Sequence, residues 1–281
     1  MTNEDPTPGE AGDAGDLLGL ADEVLGIATG GKSPRIEGLE VLQETPRRAQ
    51  VRRFAATMRS IIDDLVSTTA TADELDEASD RLEEIARLIA ALPSGQEYQG
   101  FAEAANAGAA MASGIGDTIS GYAGRSLLAE DDPERFAVFD HSPFIGLANP
   151  LSPPMRLRSE SDRVIAEVTF GVAYEGPPGC VHGGYVAAAF DECLGATQSL
   201  SGMAGMTAHL GIDYRSPTPL RVPLVMEGRL DRRDGRKIWA RATLHAGDRL
   251  CAEAEGLFIA FDAEKFQELL EARQAQFGTP S

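Results

Sequence analysis

A histidine, two glycines and an acid are spaced so that together they could bind and attack a polarised carbonyl group. His182 and the pair Gly183-Gly184 stand at the start of a predicted helix, and Asp191 follows nine positions after the histidine. Glycines at a helix start leave the first backbone N–H groups uncovered, and those donors and the helix dipole suit an anion or a developing oxyanion. A carboxylate further along the same helix could act as a nucleophile or as a general base.

The helix that carries this acid has almost no other polar residue. Residues 185–196 read YVAAAFDECLGA, in which Asp191 and Glu192 are the charged side chains. A helix that is apolar on every side is typical of a protein interior, and a buried carboxylate is costly unless it is paired or used. Burial would also raise the pKa of Asp191 and make it a more competent base. The sequence therefore predicts that Asp191 is buried for a functional reason.

Structural explanations compete with chemical ones at these positions. His182 could simply cap the turn, and Asp191 could pair with an Arg or a Thr to specify the fold. Cys180 could be a thiol nucleophile or form a metal pair with His182, but no third and fourth ligands stand at a recognisable spacing. Cysteine is also common as a small buried residue. We therefore expect no metal site.

Periodicity predicts that an antiparallel sheet surrounds this helix in an α+β domain. Several segments alternate apolar and polar residues as strands do, and Asp234-Gly235 between two of them predicts a tight hairpin. These segments are RVIAEVTF at 163–170, MTAHLGIDYRS at 206–216, LVMEGRLD at 224–231, KIWARATLH at 237–245 and LCAEAEGLFIA at 250–260. We expect one buried helix from Gly183 to about Ser201, followed by a meander of about four strands.

The remainder of the chain divides into an N-terminal extension and a short tail. Two amphipathic patterns, at 46–67 and about 71–92, predict a helical hairpin with a packing or dimerisation role. The predicted order is an acidic, largely disordered N-terminus at 1–35, the helical hairpin at 36–95, an Ala/Gly-rich linker at 96–135, the α+β domain at 136–264 and a C-terminal tail at 265–281.

Composition narrows the class of protein. The 281 residues are 43% hydrophobic, which suffices for a core, and the formal net charge is -19. Such an acidic surface repels nucleic acid and anionic membranes. Three cysteines without paired spacing argue against a disulfide framework, and neither a signal-peptide pattern nor a run long enough to span a membrane is present. We expect a soluble cytoplasmic protein.

The order of these motifs resembles that of the PaaI-like group of hotdog-fold acyl-CoA thioesterases. The chain is most similar to the branch of mitochondrial long-chain acyl-CoA thioesterases, which carry GPPGxxHGG and a following MTA-x-L strand. The resemblance covers roughly 136–261. It rests on EGPPGCVHGGYVAAAFDECLG at 175–195, GMTAHLGIDYRSPTPL at 205–220, DGRKI at 234–238 and AEAEGLFI at 252–259.

The resemblance implies a role for each matching residue. Gly183 would offer its N–H to a thioester carbonyl, His182 would shape the turn and orient that carbonyl, and Asp191 would attack the thioester or activate a water. Thr207 would hold the acid or the water from a neighbouring strand, in the other subunit, and His209 could face the site because it shares strand parity with Thr207. The candidates for binding the coenzyme A part of the substrate are Asp213, Arg215, Arg232, Arg236 and Lys237.

Two departures from the family pattern accompany the resemblance. Many PaaI-like enzymes carry an Asn a few residues before HGG, where this chain has Pro-Pro-Gly-Cys at 177–180. The chain shares that absence with the branch that it most resembles. The N-terminal helices have no counterpart in the family pattern.

The resemblance implies an enzyme of lipid metabolism that hydrolyses an acyl-CoA to a carboxylic acid and coenzyme A. It would work without a metal or a cofactor of its own, as a hotdog homodimer or as a tetramer. The first alternative is a non-catalytic hotdog module that binds acyl-CoA as a sensor or scaffold. The second is a hotdog hydratase or dehydratase, whose Asp and His arrangement the sequence lacks. The presence of both Asp191 and Thr207 favours the hydrolase.

Overall fold

The computed structural model describes residues 46–93, 141–160, 162–203 and 205–260, and residue 272. The predictions for the acidic N-terminus, for the Ala/Gly-rich linker and for almost all of the tail fall outside these residues. Within them, no helix is long and apolar enough to cross a membrane.

A six-stranded antiparallel sheet forms the main body of the molecule, with the strands in the order β1-β2-β4-β5-β6-β3. The strands are β1 (Arg156–Ser159), β2 (Arg163–Val168), β3 (Gly205–Tyr214), β4 (Leu224–Asp234), β5 (Lys237–Ala246) and β6 (Arg249–Ala260). Every strand that the alternation predicted is present. Strand β1 was missed because its sequence, RLRS, is too short to show a period.

The predicted meander is confirmed only for β4, β5 and β6. Strand β3 pairs with β6 and therefore lies at the edge of the sheet, although β4 follows it in sequence. Alternation along one strand reports which face is buried and does not report which strand lies beside it. The Asp234-Gly235 hairpin is present, and Gly235 adopts the positive φ of 54° that its turn requires.

One long helix packs against the concave face of this sheet, as predicted. It is the third described helix, α3 (Gly183–Gln198), and a short 3-10 segment, Ser199–Ser201, continues it. Its buried residues are Val186, Ala189, Phe190, Cys193, Leu194, Ala196, Thr197 and Gln198. The helix approaches β4 so closely at Gly228 that a side chain there would overlap Thr197. The opposite face is open, so the expectation of a helix buried all round is wrong for a single chain.

Two further helices, α1 (Pro46–Ser67) and α2 (Ala72–Ala90), precede the sheet. Helix α1 docks through Arg59, whose guanidinium donates to the backbone oxygens of Leu147 and Asn149 at 3.1 and 2.9 Å. Both helices predicted in the region 36–95 are thus present. Helix α2, however, buries none of its residues, so it does not pack along α1 as the second arm of a closed hairpin would.

Candidate active site

The segment before α3 is a tight turn, residues 175–184, which we call the glycine turn. Its start and end are tied together because the His182 N–H donates to the Tyr174 carbonyl at 2.8 Å. Gly176 lies so close to this turn that a Cβ there would stand 2.7 Å from the His182 Cα. Gly179 adopts a φ of 74°, which suits glycine. The glycines therefore fix the path by which the chain enters the helix.

His182 is the N-cap residue of α3. Its Nδ1 accepts a hydrogen bond from the Gly184 N–H at 3.0 Å. A neutral imidazole that accepts at Nδ1 carries its proton at Nε2, so the ring presents a donor on its other side. The Gly183 N–H has no acceptor among the described residues. A free backbone donor at a helix start is the arrangement that favours a negatively charged oxygen.

Tyr214 holds Gly183 from the far end of β3. Its hydroxyl donates to the Gly183 carbonyl at 2.8 Å, and its ring lies 3.4–3.6 Å from the place where a Gly183 Cβ would stand. The sequence did not single out Tyr214. The available signal was the MTA strand itself, since Tyr214 belongs to that strand and is more than half exposed despite its size.

Asp191 and Thr207 meet, as the resemblance implied, but within one chain. The Thr207 hydroxyl donates to Asp191 Oδ1 at 2.8 Å. The expectation that Thr207 reaches the acid from another subunit is therefore corrected. The reason is that β3 follows α3 after a short connection and lies beside the helix at the sheet edge. In a single chain Asp191 is also exposed, which corrects the expectation that it is buried.

The neighbouring acid is the one that the protein encloses. Glu192 is only partly accessible, and burial raises the pKa of its carboxyl to about 7, with a further contribution from the nearby Asp191 carboxylate. Sequence reasoning placed both acids on one helix but could not say which face each occupied. Adjacent helical residues point about 100° apart, and the boundary of the buried face decides between them.

His209 lies on the opposite side of the sheet from Asp191. The pairing of β3 with β6 shifts between Thr207 and His209, so that Ala208 is a bulge. Thr207 pairs with Phe258, which is buried beneath the helix, whereas His209 pairs with Leu257 on the outer face. The bulge reverses the alternation, and the prediction from strand parity is wrong for this reason.

Asp213 and Arg215 also lie on the outer face. Arg215 forms ion pairs with Asp213 at 3.1 Å and with Glu253 at 2.8 Å, and Tyr214 between them points to Gly183 on the helix side. Within one chain the structure therefore does not bring these two candidates to Asp191. Their assignment to substrate binding stays a prediction.

The other basic candidates stand at the tip of the β4–β5 hairpin. The Arg232 guanidinium lies 4.2 Å from the centre of the Trp239 ring, and it pairs with Asp231 at 2.7 Å. The Arg236 Nε donates to the Ala260 carbonyl at 2.8 Å, and Lys237 is exposed. Because β3 starts opposite Ala260, directly after the end of α3, this tip lies at the helix's C-terminal end. Within one chain it is remote from Gly183.

The free Gly183 N–H and the Asp191 carboxylate cannot meet one carbonyl group within a single chain. Asp191 lies eight positions after Gly183 along α3, which is ~12 Å of helix axis, while reacting atoms need to approach within about 3.5 Å. The side chain of Asp191 leans toward the helix start and shortens this gap only by its own length. The two groups thus form two half-sites on one helix.

Potential metal ligands do not gather in the described ranges. No group of three or more His, Cys, Asp or Glu side chains there is arranged to hold an ion. Cys180 is half-buried, and its Sγ lies 3.6 Å from the Pro178 carbonyl oxygen.

An antiparallel sheet wrapped around one long helix, with an acid on that helix and a free N–H at its start, defines a hotdog-fold protein of the thioesterase type. Comparison with known proteins agrees. Residues 178–255 match the Thioesterase superfamily. The crystal structure of RHA08564, a thioesterase superfamily protein, is 32% identical and covers 74% of this chain and 94% of its own, with a TM-score of 0.59. The chain belongs to the thioesterase superfamily.

Two curated relatives match a shorter stretch. The acyl-coenzyme A thioesterase THEM4 of Bos taurus is 37% identical over 109 residues, which are 38% of this chain and 45% of the relative. The acyl-coenzyme A thioesterase THEM5 of Homo sapiens is 32% identical over 97 residues, which are 34% of this chain and 39% of the relative. This chain therefore matches less than half the length of these curated relatives.

Proposed function

We propose that this protein is an acyl-CoA thioesterase that hydrolyses an acyl-CoA to a carboxylic acid and free coenzyme A. The observation that carries the proposal is the pairing of Asp191 with Thr207 on a helix whose start offers the free N–H of Gly183. The relatives named as acyl-coenzyme A thioesterases support the same substrate class. A non-catalytic binding module would not require the acid to be held in place by a hydroxyl.

In the proposed reaction the thioester carbonyl oxygen lies against the Gly183 N–H and the dipole of α3. Both stabilise the negative charge that develops on this oxygen. Asp191 attacks the carbonyl carbon, or removes a proton from a water that attacks it. The C–S bond then breaks, and coenzyme A leaves as a thiolate. In the base route this thiolate takes up the proton that Asp191 removed from the water, and the carboxylic acid is released directly. In the nucleophilic route Asp191 holds the acyl group as a mixed anhydride, which a water hydrolyses to the carboxylic acid and the free Asp191 carboxylate, while the thiolate takes up the proton that this water gives up. Thr207 fixes the direction of the carboxylate by its hydrogen bond to Oδ1.

The proposed active unit is a homodimer with composite sites. Strand β3 is ten residues long, and in the described part of the chain nothing pairs with its outer edge. Such an edge is a template for another strand. A second copy paired at β3 would cover the open face of α3 and could bring its own Gly183 turn to Asp191. This arrangement would join the two half-sites that a single chain keeps ~12 Å apart.

The nucleotide part of coenzyme A is anionic, and the hairpin-tip cluster of Arg232, Arg236 and Lys237 is the proposed site for its phosphates. Arginine forks suit phosphate geometry, and a local basic cluster would counter the overall charge of -19. Because this tip is remote from Gly183 of its own chain, it would serve a site completed by the second copy. We also propose a cytoplasmic enzyme of lipid metabolism that needs neither metal nor cofactor.

Release of free thiol from acyl-CoA substrates of increasing chain length tests the proposal. We expect turnover that exceeds spontaneous hydrolysis and a preference for some chain lengths. Saturable acyl-CoA binding without thiol release would favour the sensor or scaffold instead. Loss of absorbance from an enoyl-CoA without thiol release would favour a hydratase.

A further inference from the structure

Helices α1 and α2 each carry an apolar stripe that repeats every seven residues. Apolar residues that alternate between steps of three and four form the seam of a coiled coil. We call these stripes the α1 seam and the α2 seam. The α1 seam consists of Val51, Phe54, Met58, Ile61 and Leu65, and the α2 seam of Leu75, Ala78, Leu82, Ile85 and Ile89.

Neither seam is covered by the described residues of its own chain. On α1, Phe54, Ile61 and Leu65 keep 39%, 37% and 55% of their surface exposed. On α2, Leu82, Ile85 and Ile89 keep 42%, 40% and 46% of their surface exposed, and none of the helix's residues is buried. Other residues of α1 face the sheet, so both seams remain open after that contact has formed. Exposed apolar stripes of this extent are typical of surfaces that bind a protein partner.

Helix α2 is well formed although the part of the chain that the structure describes leaves none of its residues buried. Its N-cap, Thr71, forms a complete capping box with Glu74, and ion pairs join Glu77 to Arg81 and Glu83 to Arg87 one turn apart. Isolated helices of about this length are marginal in water even with good sequences. The stability of α2 therefore requires that something covers its seam.

The opposite charges of α1 and α2 favour the pairing of one of these helices with the other. Helix α1 contains five arginines and two acids, whereas α2 contains seven acids and two arginines. Two α2 helices would repel each other, while α1 and α2 attract. The helices also match in length, with 22 and 19 residues. In a two-fold dimer, α1 of the first chain can pair with α2 of the second, and α2 of the first chain can pair with α1 of the second. Each dimer therefore contains two such oppositely charged helix pairs.

We propose that the α2 seam of one chain docks on the α1 seam of a second copy, and the reverse. The second copy thereby exchanges helical arms with the first, and the N-terminal helices become an interface separate from the β3 edge. This inference does not depend on the proposed enzymatic activity, since it concerns surfaces that lie outside the glycine turn and the Asp191–Thr207 pair.

A photo-crosslink from the α2 seam tests this exchange. Ile85→Cys, in a full-length chain that also carries Cys180→Ser, is labelled with a maleimide–benzophenone, and equal amounts of light and 15N-labelled chains are mixed. We expect crosslinked peptides that join position 85 of one isotope to the α1 segment of the other. Arg87→Cys, on the opposite face of α2, is the matched control and should give severalfold fewer of these products.

Adding Ile61→Asp to the same chain should remove the crosslink. The circular dichroism spectrum should lose at most the helical signal of the 19 residues of α2, because Ile61 is exposed in a single chain and the rest of the fold does not depend on it. Four results would overturn the proposal: crosslinks only to α1 of the same chain, crosslinks to residues 1–45 or 94–140, a yield no greater than that of Arg87→Cys, or an unaltered yield in the Ile61→Asp chain.

Discussion

Two adjacent acids on the central helix have different surroundings, and this difference supports the roles that we propose for them. Asp191 is open to solvent in one chain and receives a hydrogen bond from Thr207. Glu192 is largely enclosed, and burial raises the pKa of its carboxyl to about 7. A catalytic carboxylate must be accessible to the substrate and must be oriented by a neighbouring group. Asp191 meets both conditions. Glu192, in contrast, lowers the stability of the folded protein when its enclosed carboxyl group is ionised.

Thr207→Val should lower kcat by about 10- to 100-fold, because a hydrogen bond to a charged group contributes about 1.5–3 kcal/mol. Valine keeps the shape and the β-branch of threonine and removes only the hydroxyl. KM should change little, since the hydroxyl aims Asp191 and does not bind the thioester. Steady-state kinetics of thiol release measure both constants. Thr207→Ser is the control and should retain most activity, and an unaltered kcat in the valine variant would contradict this role.

Glu192→Gln should change how the free energy of unfolding depends on pH. The folded pKa of about 7 lies above the ordinary value of 4.5, so the protonated form favours folding, and stability is lost as pH rises from about 4.5 through 7. Glutamine does not ionise. The variant should match the wild type near pH 4 and exceed it by about 1–3 kcal/mol at pH 8.

Urea unfolding at several pH values measures this difference. Glu84→Gln, at an exposed position on α2, is the matched control and should show no such pH dependence relative to the wild type. Equal stability of Glu192→Gln and wild type at pH 8 would mean that Glu192 is not enclosed in solution.

At the scale of elements, α1 supports the glycine turn from outside the hotdog domain. The Asp63 carboxylate accepts the Ala173 N–H at 3.2 Å and lies 3.6 Å from the Arg221 guanidinium. Ala173 belongs to the 3-10 turn Val172–Tyr174, whose last carbonyl holds the His182 N–H. The helix thus braces the segment that positions Gly183.

Asp63→Ala should destabilise the chain by about 1–3 kcal/mol, because it leaves the Ala173 N–H without its acceptor. It should also lower kcat severalfold, since the glycine turn loses support while Asp191 stays in place. Thermal unfolding and thiol release measure the two effects. Asp64→Ala, at the exposed neighbouring position, is the control and should change neither. Full activity of a destabilised Asp63→Ala variant would show that α1 supports the fold but not the turn.

The elements themselves were largely predictable from sequence, because local signals specify them. Alternation defined the long strands, Asp234-Gly235 defined the hairpin, and HGG defined the helix start. The face of the sheet on which each side chain lies was less predictable. The bulge at Ala208 turns His209 outward, and no local signal announces a bulge. The placement of β3 beside β6 also depends on pairing between residues distant in sequence.

The residues of the candidate site were likewise predictable only in part. The sequence motif identified Asp191, His182, Gly183 and Thr207. In the structure, Asp191 accepts a hydrogen bond from Thr207, and His182 is the N-cap of the helix. Asp63 and Tyr214 were not identified, because each side chain contacts a backbone group that lies far from it in sequence. Tyr174 was not identified because it holds the turn by its backbone carbonyl, which any residue type carries. Such contacts leave no pattern in a single sequence.

At the scale of the whole molecule, the proposed composite site follows from helix geometry. Gly183 and Asp191 lie too far apart on α3 to act on one carbonyl, so each site should take one group from each chain. Two inactive variants should therefore complement each other. Gly183→Pro removes the N–H and suits the first helical position, and Asp191→Ala removes the acid.

A 1:1 mixture of Gly183→Pro and Asp191→Ala chains, unfolded and refolded together, should recover about a quarter of the wild-type activity. Half of the randomly paired dimers are mixed, and each mixed dimer has one intact site of two. As the control, the two variants are refolded separately, mixed and assayed immediately after mixing. This mixture should stay inactive. No recovery after joint refolding would mean that each chain holds a complete site.

The most direct test of the proposed activity is the rate of free-thiol release from acyl-CoA substrates by the wild type and by Asp191→Ala. Asp248→Ala is the matched control, since Asp248 is exposed in the turn between β5 and β6 and has no assigned role. The wild type and Asp248→Ala should turn over substrate at similar rates, and Asp191→Ala should be slower by about 10²- to 10⁴-fold with its fold intact. Near-wild-type turnover by Asp191→Ala, or no thiol release by the wild type on any chain length, would contradict the account.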